Sequence, residues 1–233
     1  MTLEKRLTIY FGSEIKAKFR FGSSTRGTIL PRSMDGKSDI DYMIVFSNSD
    51  YKPSTYLQKI RRFVEFYYSS SEIYQSSPTI VLNLNHIRFE IVPAIESWFY
   101  GLQIPAPASD FLEWIETDPN DFNTELTSCN VSNNSKIKPS VRLLKYWNAQ
   151  NSYPFESFLL EKKVINMNFW FCIDLKDYFF KAVENLSAGL FAPQWKTDAV
   201  NRAQNIVAEA KRLESKGKHY SAEEEIKKLI PSQ

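Results

Sequence analysis

Cysteine and histidine are both scarce in this sequence. The two cysteines, Cys129 and Cys172, are far apart, and neither they nor His86 and His219 form a metal-ligand spacing. That excludes a zinc ribbon and a disulfide-stapled scaffold, and it points to a reduced, cytoplasmic setting. Long apolar runs are absent too. No segment approaches 18 uninterrupted apolar residues and the N-terminus shows no signal-peptide pattern, so no membrane association is expected. Charge of one sign is also missing: 29 Lys and Arg stand against 27 Asp and Glu, a net charge of +2. This balance excludes a polycation built for tight, non-specific binding to long nucleic acid, while leaving a local basic groove open. The chain contains no internal repeat and no low-complexity tract.

What remains is an ordinary globular composition, 43% hydrophobic and 24% charged over 233 residues, enough for one large domain or two small ones. Aromatics reach 15%, which suits a packed core or stacking surfaces for bases. Helical spacing over residues 3–19 predicts an N-terminal helix, followed by a turn at Gly22–Thr28, a polar loop with Pro31, Asp35 and Gly36, and a strand from Ile40 to Phe46. Pro53 opens a second helix whose Tyr56, Ile60, Phe63, Val64 and Tyr67 share a side. Runs Thr79–Leu84 and Ile87–Val92 read as a hairpin turning at Asn85-His86, with Pro93 ending its second strand. Residues 101–138, rich in Pro, Asn, Ser and Asp, read as a connecting region with a short helix near Phe111–Ile115. Beyond Pro139 the pattern is helical, with segments near Val141–Ala149, Phe155–Ile165, Phe169–Glu184, Thr197–Glu214 and Ala222–Leu229. The expected fold class is α+β: a small mixed sheet with flanking helices, then a helical bundle, with a ligand in the cleft between them.

Chemistry concentrates in FGSSTRGTILPRSMDGKSDIDYMIVF, residues 21–46. Alternate strand residues share a face, so Asp39 and Asp41 point one way while Tyr42, Ile44 and Phe46 point the other. Two neighbouring carboxylates in a dry site resist joint ionisation, and a divalent cation resolves this by neutralising both. An aspartate pair of this spacing also occurs at exposed strand starts, so the pattern alone has low specificity. The upstream turn adds to it: Gly22 lets backbone approach an anion closely, and Ser23 and Ser24 offer hydroxyls and amides. Glu90, in IRFEIVPA, is a lone acid in an apolar strand; it serves either as a third metal ligand or as a salt-bridge partner of Arg88. Arg26 could contact phosphate or pair with a neighbouring acid. A phosphate cradle followed by a metal-binding carboxylate pair is the layout needed for chemistry on a nucleoside triphosphate.

GSSTRGT, SDIDYMIVF and the acid before IVPA resemble the DNA polymerase β-type nucleotidyltransferases, and within them the bacterial cGAS/DncV-like branch (CD-NTases of SMODS type) and the oligoadenylate synthases. VRLLKYWNAQ and YPFESFLLE resemble the helical half of that branch. The resemblance implies a catalytic core over residues 1–100, a connecting region over 101–138 and a helical domain over 139–233 that completes the nucleotide site. It implies that Asp39, Asp41 and Glu90 hold two Mg²⁺ or Mn²⁺ ions, that Gly22 and Ser23 bind phosphate, and that Lys145 holds the triphosphate tail. Ser157 would hydrogen-bond that tail and Phe158 would stack on the base. Val141, Leu144 and Trp147 supply the buried side of their helix, so Lys145 is expected to project its charge into the cleft. Glu90 stands where the family more often has aspartate, and the zinc insertion of animal relatives is missing.

The function implied is template-independent condensation of nucleoside triphosphates into a cyclic or linear oligonucleotide second messenger in antiphage signalling. A protein activator or a downstream effector of the product would be the partner. Two other readings stay open: the same transfer onto a macromolecular acceptor, such as a tRNA 3′ end or a protein hydroxyl, and a non-catalytic nucleotide-binding module.

Overall fold

In the computed structural model the described residues are 2–76, 78–97, 101–106 and 113–231. They divide into two compact units, one of Met1–Arg32 with Lys37–Thr124 and one of Ser33–Gly36 with Glu125–Gln233.

The first unit is built on a mixed sheet. Helix α1 (Leu3–Phe11) is capped by Thr2, whose hydroxyl accepts from the Lys5 amide, and it buries Leu3, Leu7 and Phe11. The helix expected over residues 3–19 stops there. Gly12, at φ +52°, ends it, a short 3₁₀ turn follows, and Ile15–Phe21 forms strand β1. Ile15 and Phe19 are four apart, a spacing that fits both helix and strand periods; pairing with the next strand decides the outcome. Strand β2 (Ile40–Phe46) lies between antiparallel β1 and parallel β5 (Arg88–Glu96). Beyond β5 come β4 (Thr79–Asn83) and β3 (Glu72–Ser76), giving the order β1-β2-β5-β4-β3. The hairpin between β4 and β5 turns as expected, with the Leu84 amide donating to the Ile87 carbonyl at 2.8 Å.

Pro93 does not end β5. It lies past the last β4 pairing, Ile80 with Ile91, and before the β6 pairing at Ile95. Among the described residues only β2 flanks it there, so one edge carries no ladder for the missing N–H to interrupt. Strands β6 (Leu102–Pro105) and β7 (Trp114–Thr117) then extend the sheet from β5. The short helix expected near Phe111–Ile115 is therefore strand from Trp114 onward, and residues 111–112 lie outside the described residues. Helix α4 (Asp121–Ser132) follows, where no helix was expected.

One face of the sheet carries the main core. Tyr42, Ile44 and Phe46 of β2 pack with Ile80, Leu82 and Ile91 against α1 and α3 (Pro53–Tyr67), whose Leu57, Ile60, Phe63 and Val64 are all but inaccessible. Each such side chain is worth roughly 1.5–3 kcal/mol of burial. The opposite face is thinner: Met43, Val45 and Ala94 with Phe19, Phe21, Leu102 and Ile104. By strand alternation Asp41 and Glu90 belong to this second face, and Asp39, one residue before β2, hydrogen-bonds with Glu90.

The second unit is helical. After α5 (Ile137–Gln150) and α6 (Ser157–Ile165) come α7 (Leu175–Glu184), α8 (Gln194–Ser215) and α9 (His219–Lys227). The third of these begins later than the expected Phe169. Asp174 and Asp177 form a capping box, each carboxylate accepting the other's amide, and that fixes the start at Leu175. No described helix is long and apolar enough to cross a membrane.

Candidate active site

The site grows from two short pieces of backbone. The first is the turn after β1. Gly22, at φ +71°, caps a four-residue helix α2 (Ser23–Arg26), and Gly27 closes it in the left-handed conformation. The Thr25 and Arg26 amides donate to the Gly22 carbonyl, which places the Ser23 and Ser24 amides in the first turn, where no intrahelical acceptor exists. The Ser24 hydroxyl donates to the Phe21 carbonyl at 3.1 Å and that of Thr25 to the Gly22 carbonyl at 2.9 Å, pinning the turn to the strand end. Arg26 is buried with its guanidinium 5.6 Å from the Phe122 ring, in the same unit.

The second piece is the start of β2. Asp41 pairs in register with Phe21 on one side and with Glu90 on the other. A Cβ on Gly22 would lie 1.8 Å from Asp41 Oδ2, so the Asp41 carboxylate rests directly on the glycine backbone. Turn and aspartate are thus one construction, and no side chain fits between them. All three acidic residues are half-buried. Asp39 is raised to about 7, first by burial, then by the neighbouring charges of Asp41 and Glu90 and by a hydrogen bond with Glu90; Arg88 pulls the other way. Arg88 and Glu90 form an ion pair through Nη2 and Oε1. Asp39, Arg88, His86, Ser38 and Arg32 share the lining of a cavity of about 130 Å³. Arg32 donates from Nη1 to Asn83 Oδ1 at 2.9 Å and holds the end of β4 beside it.

These carboxylates suit a divalent cation by chemistry: hard oxygen donors on one sheet face, crowded enough that Asp39 holds its proton near neutrality. Among the described residues, however, no three acidic, histidine or cysteine side chains are already gathered as a ligand set, and one Glu90 oxygen is engaged by Arg88.

In the second unit, Lys145 sits on α5, where it was expected to project into the cleft. It is buried and pairs with the buried Glu161 at 3.3 Å. The reason lies in α5, where Ser140, Val141, Leu144, Tyr146, Trp147 and Asn148 are buried as well, leaving little solvated surface around the lysine. Asn148 shapes the turn that leads into α6. Its side chain accepts from the Phe155 amide and donates to the Phe155 carbonyl, both at 2.9 Å, while its carbonyl accepts from the Tyr153 amide. This clamp sets the start of α6, placing Ser157 half-buried in its first turn and Phe158 at the surface, 39% exposed, with Lys162 Nζ 4.8 Å from its ring. Sequence reasoning passed over both Asn148 and Glu161. A glutamate inside the apolar run SFLLEKKVI was the available signal for the latter.

Residues 1–130 match the family of the Second Messenger Oligonucleotide or Dinucleotide Synthetase (SMODS) domain. A probable cyclic nucleotide synthase of Bacillus cereus (strain VD146) is 27% identical over 194 residues, spanning 68% of this chain but only 56% of that protein. Among solved structures, CdnG of Bradyrhizobium diazoefficiens in complex with GTP superposes with a TM-score of 0.67 at 11% identity, covering 97% of this chain and 92% of its own. Apo DncV of Vibrio cholerae gives 0.74 at 12% identity, covering 93% and 68%. E. coli MS115-1 CdnC, solved with HORMA-deltaN, gives 0.66 at 16%, covering 99% and 88%. At such identities the structural likeness establishes the fold: a mixed sheet with flanking helices and a C-terminal helical region.

Proposed function

The chain belongs to the SMODS domain family, and from that premise we propose that it is a metal-dependent, template-independent nucleotidyltransferase that condenses nucleoside triphosphates into a cyclic or linear oligonucleotide signal. The observation that carries this reading is the register of β1, β2 and β5, which sets Asp41 beside both Glu90 and the Gly22 turn. Relatives support the substrate class, since CdnG was solved with GTP and CdnC with ATP.

In this reading Asp39, Asp41 and Glu90 hold two Mg²⁺ or Mn²⁺ ions. When bound, such ions neutralise phosphate charge and activate the attacking hydroxyl for in-line displacement at the α-phosphorus, releasing pyrophosphate. The chain supplies the rest. Gly22 gives the phosphates close access to backbone, and the Ser23 amide and hydroxyl donate to their oxygens. Arg26, stacked on Phe122, steadies the turn and adds positive charge behind it. In the helical unit, Phe158 offers its exposed ring to a base and Ser157 a hydroxyl to the triphosphate. Lys145 serves the tail only when it leaves Glu161. The product would act on a separate effector in antiphage defence. A protein activator suits a net charge of +2 better than activation by long nucleic acid; CdnC, solved with a HORMA protein, is a relative with such a partner.

The test is incubation with all four triphosphates and Mg²⁺ or Mn²⁺, then phosphatase treatment and mass spectrometry. A phosphatase-resistant oligonucleotide is the expected result. Label transfer only after addition of tRNA or protein would replace it with a macromolecular acceptor. Bound nucleotide without pyrophosphate release under any condition would sink the enzymatic reading.

A further inference from the structure

Arg88 and Glu90 are two residues apart on β5, so their side chains emerge on the same face and meet there. Their ion pair is incomplete. The guanidinium engages Glu90 through Nη2, while its Nε is buried without a hydrogen-bond partner among the described residues. A structural arginine–carboxylate pair gains most from the two-pronged fork that satisfies both nitrogens; this one leaves part of that energy unused. Arg88 also lines the same small cavity as Asp39, at the start of β2. Arg88 thus occupies the electrostatic position that a divalent cation would take, and it holds one oxygen the cation would need.

We propose that Arg88 is the internal counter-ion of this carboxylate site and competes with the divalent cation for Glu90, so that the cation binds as the Arg88–Glu90 pair opens. This rests on the metal-dependent reading above and adds a regulator to it. The strength of one ion pair sets the concentration of cation, free or carried in by a triphosphate, at which the carboxylates close around it. An incompletely satisfied pair suits that role because it exchanges at modest cost.

The test is a Mn²⁺ titration of the intact chain by calorimetry, without nucleotide, for the wild type, Arg88→Gln, Arg88→Lys, Glu90→Gln and the Arg88→Gln/Glu90→Gln double variant. Arg88→Gln is expected to bind Mn²⁺ about tenfold more tightly, as befits loss of one unit charge beside a half-buried site. Arg88→Lys keeps a cation at the position and stays near wild type. In the Glu90→Gln background the gain from Arg88→Gln shrinks to less than about twofold, because the contested carboxylate is gone. A gain that persists there means Arg88 acts only through its field, and competition is overturned. Unchanged or weaker Mn²⁺ binding in Arg88→Gln overturns it as well, since Arg88 would then be organising Glu90 for the metal. Thermal unfolding keeps the test readable if Arg88→Gln is less stable: the rise in Tm on adding Mn²⁺ should exceed that of the wild type, and an equal or smaller rise overturns the proposal. Absence of any Mn²⁺ binding in the wild type would remove the metal reading and this inference together. Binding indifferent to Arg88 would remove this inference alone.

Discussion

Each unit buries charge, and the two do it differently. In the helical unit one lysine meets one glutamate, with side chains 6% and 1% exposed, in a matched pair that ties α5 to α6. At the start of β2 in the sheet unit, two acids raise Asp39 and one guanidinium opposes them, all half-buried. Taking a matched pair out of water costs desolvation but leaves no net charge behind, so it can serve architecture. Carboxylates that outnumber the guanidinium beside them repel one another, and a bound cation would relieve that repulsion. The contrast separates a charge pair suited to holding the fold from a charge cluster suited to a ligand.

The largest expected effect breaks the sheet side of this comparison. Asp39→Ala with Asp41→Ala should reduce pyrophosphate release by more than about 10³-fold, the loss of several kcal/mol of transition-state stabilisation. The metal-free Tm should stay level or rise, because repulsion is relieved without touching the core. Retained activity in that variant would falsify the metal assignment. The helical side should respond in the opposite sense. Glu161→Ala strands a buried ammonium and should lower unfolding free energy by about 3–5 kcal/mol in urea denaturation, whereas Lys145→Met with Glu161→Leu should be close to neutral. If Glu161→Ala costs no stability, the pair is not architectural and Lys145 is freer for substrate than its burial implies.

Much of the sheet site was legible in the sequence, and the reasons are local. Strand alternation alone puts Asp39 and Asp41 on one face, and a lone acid in IRFEIVPA marks Glu90. Their meeting was expected only from the functional reading and the family resemblance, not from local pattern, because it depends on β5 pairing with β2 in parallel while β3 and β4 intervene in the chain. Short elements with mixed faces escaped: β3 and β7 have no fully buried residue, and α4 buries only scattered residues such as Phe122 and Leu126 amid Asn, Thr and Ser. Gly22 read as a turn glycine, but its tighter role, carrying the Asp41 carboxylate against bare backbone, exists only in three dimensions. Lys145 read as a cleft-facing cation with no partner, because Glu161 lies on another helix.

Gly22→Ala sharpens the sheet side at smaller scale. The methyl would fall 1.8 Å from Asp41 Oδ2, and the residue would keep a left-handed φ of +71°. The strain itself costs about 1–2 kcal/mol. Displacing Asp41 should cost more in function, lowering kcat roughly 10- to 100-fold if one to three kcal/mol of positioning is lost. The stability loss should stay well below that of Glu161→Ala. A rise in KM alone, with kcat intact, would mean that Asp41 had not moved.

The last effect is a pH dependence that the carboxylate cluster should show. In the metal-free protein Asp39 keeps its proton up to about 7, held there by burial and by Asp41 and Glu90, against Arg88. In the unfolded chain the same carboxyl ionises near its ordinary value of 3.8. Between those limits the folded state binds more protons than the unfolded one, so unfolding free energy falls as pH rises. The Asp39 contribution is therefore fully present below about 4, is lost through about 7, and is flat above that. Bound Mg²⁺ favours the ionised carboxylate, so the stabilisation it gives should be larger at pH 8 than at pH 5. Asp39→Asn removes the titrating group and should flatten the slope by the same amount. Urea midpoints measured with and without Mg²⁺ at the two pH values decide it: an equal Mg²⁺ effect at both would mean that the cation does not take the place of the proton on Asp39.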